Sequence, residues 1–562
     1  MNDLKTYRFW LVIIAIIVLN AIAVYVHYRI DLTDENRFTI SAPVRKLLTD
    51  LPQPVEIDVF LHDALPSGFK KLSVTTLELL QEFNDIARGK IRYRIISPEE
   101  IMPGTKGTYG DSLASLGLLP INLTVQIKAG EQSQYVYPAA MVHSEGRSVP
   151  VNLYPGTKAI ITPPELNNAE ALLEYKFADA IQKAVNNKIP LLAYSVGNGE
   201  PAGANTYDLV ENVMKKNYQV FTIDIKTEPV IPDTFQALLI VKPSIAFDDV
   251  EKLKIDQYIM NGGKVIWMLD RLEAEMDSLQ IKSQVVAYDR NLQLEDLLFK
   301  YGVRINADLV MDLQSDFLPF DVSGNQQYEF LHWNYFPLFE SPQNHPINKN
   351  LGLVAGKFVN SIDTVAAPGI AKHNLLQSSP NARTLQTPAL ISPTENRNVP
   401  VDAAFTTANI PVAVLLEGKF TSFYKNRISR SMMDSLAAFG LPFLSESITP
   451  GKMIVVSDGD IVLNGVVQNQ PLPMGVNPFT LETQYQYQFA NRQFIENCLE
   501  YLVGNENLSA ARSKDYTLRL LDPEKSRSQK TMWQMINLLV PVILLALFGI
   551  LYQVWRKRKY KM

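Results

Sequence analysis

Carboxylates set just beyond apolar runs are the first residues of this sequence that could do chemistry. Asp270, followed by Arg271, closes the run Lys264–Leu269, while Asp458 and Asp460 follow Met453–Val456 within Ser457-Asp458-Gly459-Asp460. Ligands of open α/β sheets gather beyond the carboxyl ends of strands. Carboxylates held together there can bind a hard cation or work as acid and base. The same residue types also make turns and helix caps, which requires no ligand. A second candidate is Glu417–Arg427, EGKFTSFYKNR, where aromatic and basic side chains interleave between Glu417 and Arg427. It suits a docking edge or, more simply, a two-sided strand with one polar face.

Other chemistries are excluded by what is missing. No G-x-x-x-x-G-K-[ST] occurs, so the chain does not cradle nucleotide phosphates in a P-loop. Gly197-Asn198-Gly199-Glu200 follows an apolar run but lacks the rest of a dinucleotide fingerprint, and is read as a turn. No G-x-S-x-G or G-x-C-x-G supplies a nucleophile elbow. The histidines, His27, His62, His143, His332, His345 and His373, are scattered and form no HExxH pair. One thiol, Cys498, excludes a disulfide framework, a CxxC pair and a Cys-rich metal site. Within the helical run Phe494–Leu502 it is read as a small buried hydrophobe. No catalytic residue, metal or cofactor is expected, and the chain is read as no enzyme.

The elements that must position these residues are α/β units. Val55–Leu61 alternates as a strand, Val74–Arg88 repeats Leu77, Leu80, Phe83 and Ile86 as a helix, and Lys90–Ile95 alternates again, a βαβ unit. Ile121–Lys128 and Gln134–Met141 flank Ala129-Gly130-Glu131 as a hairpin. Thr162-Pro163-Pro164-Glu165 opens a helix that runs to Val185. This order resembles a thioredoxin-like layout over 31–187, a scaffold without redox cysteines. A second unit, 188–504, alternates strands (Ile189–Tyr194, Tyr218–Ile225, Phe235–Val241, Lys264–Leu269, Met453–Asp458) with helices (Tyr207–Lys216, Asp248–Met260). Short buried strands between helices predict a mostly parallel, doubly wound sheet. Residues 305–420 are richer in Pro, Asn and aromatics and are read as a β-rich insertion, with Leu375–Asn396 as a loop.

Two apolar segments frame these units. Phe9–Val26 and Met535–Tyr552 are each eighteen residues without a charge, roughly 27 Å as helices, close to the ~30 Å hydrocarbon core. Trp10, Trp533 and Trp555 lie at their ends, where an aromatic belt is expected. The domains are therefore an anchor at 1–30, the two α/β units, a charged connector at 505–532, and a second span with a basic tail at 533–562. Arg556, Lys557, Arg558, Lys559 and Lys561 place the C-terminus in the cytoplasm, and Lys5 and Arg8 place the N-terminus there. A cleaved signal peptide is the rival reading of the first segment, and its longer apolar run favours a retained span. Residues 27–532 then lie across the membrane, in the periplasm of a Gram-negative cell. The chain carries −5 overall, and with the terminal cations removed the remainder is more acidic still, which argues against nucleic acid as a partner.

The order of several segments resembles the gliding-motility-associated ABC-transporter auxiliary, substrate-binding-like proteins of Bacteroidota (GldG). They are Asn36-Arg37-Phe38-Thr39-Ile40-Ser41, Val55–Leu61, Leu77–Phe83, Asn344-His345-Pro346-Ile347-Asn348, Glu417–Arg427, Lys452–Asp460, Phe494-Ile495-Glu496-Asn497 and the basic-tailed final span. The resemblance implies an α/β fold with two terminal transmembrane helices, the thioredoxin-like domain, and a class-I glutamine-amidotransferase-like domain lacking its catalytic residues. It implies a two-pass inner-membrane protein with a large periplasmic domain. Its implied partners are a permease-like subunit, a cytoplasmic ATPase and other gliding or secretion components. The expected function is a non-enzymatic auxiliary subunit of an ABC-type complex supporting gliding motility and associated secretion. A ligand-binding receptor and a hydrolase with an unusual carboxylate site are the alternatives. Asp270, Arg271, Asp458, Asp460, Glu417 and Arg427 are the candidate binding residues.

Overall fold

The structure, a computed structural model, describes residues 39–504 and 523–559 together with Ile14, apart from 63–64, 117, 119, 128–129, 155–162, 187, 283, 322–326, 344, 350 and 394–401. It divides into two units, Met1–Lys514 and Asp515–Met562. The first apolar run, apart from Ile14, and the topology residues Lys5, Arg8 and Lys561 lie outside the described residues.

The amino-terminal part of the first unit is built on helix α1 (Ala42–Thr49), strand β1 (Val55–Val59), α2 (Ser67–Ile86), β2 (Ile91–Ile95) and α3 (Tyr109–Ser115). Strands β3 (Ile121–Ile127), β4 (Gly130–Val136), β5 (Ala139–Ser144) and β6 (Arg147–Asn152) follow, and α4 (Pro163–Val185) closes it. β1 and β2 are parallel across α2, as the βαβ pattern predicts. The four-stranded order is β2–β1–β5–β6, while β3 and β4 pair only with each other. The expected second hairpin strand, Gln134–Met141, is in fact two strands. It breaks at Tyr137-Pro138, because proline gives the ladder no donor, and its far end joins the main sheet against β1. Val55, Ile57 and Val59 face a core shared with Phe83 of α2 and Phe177 of α4.

The larger sheet begins with β7 (Leu191–Val196), β8 (Gln219–Asp224) and β9 (Ala237–Val241). Helix α5 (Asp249–Met260) starts at Asp248, whose side chain accepts from the Glu251 N–H while the Glu251 carboxylate accepts from the Asp248 N–H, a reciprocal cap. β10 (Val265–Met268), α6 (Met276–Lys282), α7 (Glu295–Tyr301), β11 (Ile370–Gln377), β12 (Pro411–Gly418), α8 (Arg430–Ala438), β13 (Gly451–Val456) and α9 (Asn491–Val503) follow, with the further strands of the β-rich region set between Leu272 and Ile391. The seven strands lie in the order β11–β12–β13–β10–β9–β7–β8. From β8 to β13 they are parallel, with β7 flanked by β8 on one side and β9 on the other. The chain thus reverses its direction of build between β7 and β9.

Alternation divides the central strands between two cores. Leu239, Ile266 and Ile454 pack with Phe494, Cys498 and Leu499 of α9, whereas Leu238, Trp267 and Val455 pack with Ile255 and Ile259 of α5. Burial of both faces is what makes these strands read as unbroken apolar runs. Each such fully buried side chain stabilises the fold by roughly 1.5–3 kcal/mol.

Two expectations are corrected here. The β-rich region does not remain separate to residue 420, because β11 and β12 return to the main sheet as an antiparallel edge. Leu375–Asn396 is largely strand, not loop: it holds the end of β11 and the strands Ala382–Gln386 and Ala389–Ile391. Its Ser, Thr and Asn residues mislead because they satisfy neighbouring strands. Ser379, for example, donates through both its N–H and its Oγ to Asp312.

In the second unit, helix α10 (Pro523–Lys559) is continuous across Pro541, so the expected connector is helical from Pro523 onward. It is the one helix among the described residues long and apolar enough to cross a membrane. Proline inside such a helix is tolerated in a bilayer.

Candidate functional site

Asp270, Asp458 and Asp460 converge. All three lie beyond the carboxyl ends of the neighbouring strands β10 and β13, and one oxygen from each falls within 4.8 Å of the others. Two glycines permit this closeness. A Cβ on Gly459 would stand 2.5 Å from the Cβ of Lys242, and one on Gly356 would stand 2.8 Å from an Asp458 oxygen.

The carboxylates are already satisfied by the protein itself. The Asp458 oxygens accept the N–H groups of Asp460 at 2.7 Å and Lys357 at 2.9 Å. Asp270 Oδ1 accepts the Gly459 N–H at 2.5 Å. Into the same space comes Lys242, the residue after β9, with a left-handed backbone at φ 45°. Its Nζ lies 2.6 Å from Asp460, 3.2 Å from Asp270 and 3.0 Å from Glu275. Glu275 is in turn bound by Arg290 at 2.9 Å. Three carboxylates in reach of one another would suit a hard cation, but here the ammonium of Lys242 supplies the positive charge.

Electrostatics follow from that arrangement. Burial, then the neighbouring Asp460 and Asp270, push the Asp458 carboxyl well above its ordinary range. Burial also raises Asp270, against the pull of Lys242. Burial opposes ionisation of Asp460 as well, yet Lys242 and Lys357 outweigh it and hold this carboxyl below its usual range. Burial would lower Lys242, but Asp460, Asp270 and Glu275 carry it well above the ordinary ammonium value. The cluster therefore keeps a charged Lys242–Asp460 pair beside a carboxyl, Asp458, that favours its proton. Next to it is a cavity of about 30 Å³, bordered by Asp316, Phe336, Lys357, Asp460, Asn477 and Asn491. That volume holds about one or two waters.

The remaining candidates go elsewhere. Arg271 turns away from Asp270: it binds Asp289 through Nε at 3.1 Å and the Ile305 carbonyl at 2.5 Å. Glu417 ends β12 beside Lys452 at the amino end of β13, where it accepts from Tyr501 at 2.7 Å. Arg427 stacks over Phe423 at 4.4 Å. The strand reading of Glu417–Arg427 is corrected, since β12 stops at Gly418, Thr421 keeps only an isolated bridge to Glu446, and Phe423–Arg427 is turn. Gly197–Glu200 is a turn held by Glu200, which accepts from Ser195 Oγ and the Asn198 N–H, each at 2.7 Å. Cys498 is buried. Of the residues that close the cluster, Lys242, Glu275, Arg290 and Lys357 are not singled out by any motif. The available signal was Val241-Lys242-Pro243, a lysine set directly at the end of an all-apolar strand.

No curated protein matches the chain. Among solved structures, the mmIFT52 N-terminal domain is similar at 12% identity and a TM-score of 0.31, covering 56% of this chain and 98% of that one. Residues 34–143 match a domain of unknown function, DUF7088. Residues 190–498, more than half of the chain and all of the seven-stranded sheet, match the family described as ABC-type uncharacterized transport system. The chain belongs to that ABC-type transport-system family, as an auxiliary component.

Proposed function

We propose that this chain is a non-enzymatic, membrane-anchored subunit of an ABC-type complex that supports gliding motility and associated secretion. In this reading both termini are cytoplasmic, two spans cross the inner membrane, and the α/β body stands in the periplasm. The amino-terminal part is a thioredoxin-like scaffold, and the larger sheet an amidotransferase-like one put to structural use. The partners are a permease-like subunit and a cytoplasmic ATPase, whose nucleotide-driven movements reach the body through its anchors.

The observation that carries this reading is the internal neutralisation of the carboxylate cluster. A hydrolytic site needs a carboxylate with access to substrate, whereas Asp270 and Asp458 are 8% and 1% exposed and hydrogen-bonded within the fold. The adjoining cavity is too small for an organic ligand, for which pockets of roughly 300–1,000 Å³ are usual. Family membership and the apolar helix α10 support the anchored, transporter-associated assignment. Affinity purification of the full-length chain from native membranes is expected to recover a polytopic subunit and an ATPase. Recovery of the chain alone, or normal gliding after deletion of residues 31–530 with both spans kept, overturns the proposal.

A further inference from the structure

The excursion between β12 and β13, residues 419–450, leaves and returns at the amino end of β13, the edge of the sheet opposite the carboxylate cluster. Its base is firmly held. Ser422 Oγ and the Phe423 N–H donate to the buried Asp256 at 2.6 and 2.8 Å, and the Ile448 N–H donates to the Met260 carbonyl at 2.9 Å. Leu436 of α8, with Met432, Phe443 and Leu444, packs into the core on the α5 face. Beyond this base, Ala437-Ala438-Phe439-Gly440-Leu441-Pro442 is a run of successive exposed residues without a charge. Phe439 is 55% exposed and Ile448 60% exposed, and Met433 and Leu441 of the same excursion are exposed as well. Large apolar side chains left in water within one short excursion point to a contact.

The charge of the excursion says what covers it. The excursion carries the cations Lys419, Lys425, Arg427 and Arg430 against only Asp434 and Glu446, within a chain whose net charge is −5. Lys419 and Lys425 share Glu446, while Arg427 and Arg430 are exposed and form no ion pair among the described residues.

We propose that the tip around Phe439 and Leu441 is a lipid contact that seats in the headgroup boundary of an anionic bilayer, with Arg427 and Arg430 on lipid phosphates. Apolar side chains flanked by arginines are the composition of such interfacial segments. The inference rests on the membrane-anchored reading above.

The test uses the full-length chain reconstituted in vesicles of phosphatidylethanolamine and phosphatidylglycerol. Phe439→Cys carries an environment-sensitive fluorophore, with Tyr328→Cys, 63% exposed in the β-rich region, as the comparison site. Cys498 is buried and stays unlabelled in the folded protein. Nitroxide-bearing lipids are expected to quench the probe at 439 at least twofold more than the probe at 328. Arg430→Glu is expected to reduce that difference without shifting the melting temperature. Equal quenching at the two sites, in protein that co-floats with the vesicles, overturns the tip contact and leaves the anchor standing. Failure to co-float overturns the anchor as well. Energy transfer between labelled copies, or protection of residue 439 in native membranes but not in pure lipid, overturns the lipid in favour of a second copy or a protein partner.

Discussion

The two edges of the seven-stranded sheet have opposite characters. At the carboxyl edge, where open α/β sheets place their ligands, Asp270, Asp458 and Asp460 are turned inward and closed by Lys242. At the amino edge, where such sheets place no chemistry, Phe439 and Ile448 stand more than half exposed on a basic excursion. The edge where a ligand would be expected is filled by the protein's own lysine, while the opposite edge stays open. In the non-enzymatic role proposed above, that inversion is expected: the inward edge supplies rigidity and the outward edge supplies contacts.

The contrast is sharpest at Lys242. Lys242→Met leaves buried carboxylates without their cation and is expected to destabilise the body by about 3–5 kcal/mol. The loss should shrink as pH falls from 7 to 5. Without the ammonium, Asp270 and Asp458, already raised by burial, hold protons that the unfolded chain has released, so stability rises toward acid. Denaturation of the solubilised full-length chain at the two pH values measures both effects. A neutral result at pH 7 would show that the carboxyl edge is not held by charge.

Arg492 offers a second probe of the same edge. Its guanidinium pairs with Asp208, which is 2% exposed and also accepts the Met474 N–H at 2.8 Å. Arg492→Ala is expected to cost about 2–4 kcal/mol, since removing one partner strands a buried charge. The same denaturation measurement reads it.

Glu496 on α9 is an intermediate case. Burial, then Glu500, raise its carboxyl to about 7. A carboxyl raised on folding favours the folded state while protonated, and that contribution is lost as pH climbs from the ordinary glutamate value through about 7. Glu496→Gln is therefore expected to be near neutral at pH 5 and stabilising by roughly 2–3 kcal/mol at pH 8. Parallel pH profiles for the wild type and this variant would refute it.

The smallest effect on stability belongs to the open edge. Phe439→Asp with Leu441→Asp should change stability by less than about 0.5 kcal/mol, as exposed substitutions do. A large loss of stability in the same melts would mean that the tip is part of the core and that the two edges do not differ.

What could be read in the sequence depended on the range of the interaction. β1, β9 and β10 were legible because alternating or unbroken apolar residues are local signals. So were the helices that separate them and the placement of Asp270 and Asp458 at strand ends. β11 was not, since IAKHNLLQ mixes charge and amide in an edge strand of which only Leu375 and Leu376 are buried. β6 was hidden by Pro150 and by Arg147 at its start. The closure of the site was invisible for a different reason. Lys242 meets Asp460 across 218 residues of chain, and no spacing rule spans that distance. Hence the three aspartates could be proposed as a group, but their closure by Lys242 could not.

The place of β13 in the sheet has a consequence for how the protein is made. Its ladder with β10 joins Val265 to Met453, so β10 waits for about 190 residues before its second neighbour exists. At the pace of synthesis, that is roughly 10–40 s with an apolar strand edge unpaired. The nascent body therefore needs shielding through most of its emergence, and substitutions that slow the region between these strands should appear first as lower yield, with the melting of the finished protein unchanged.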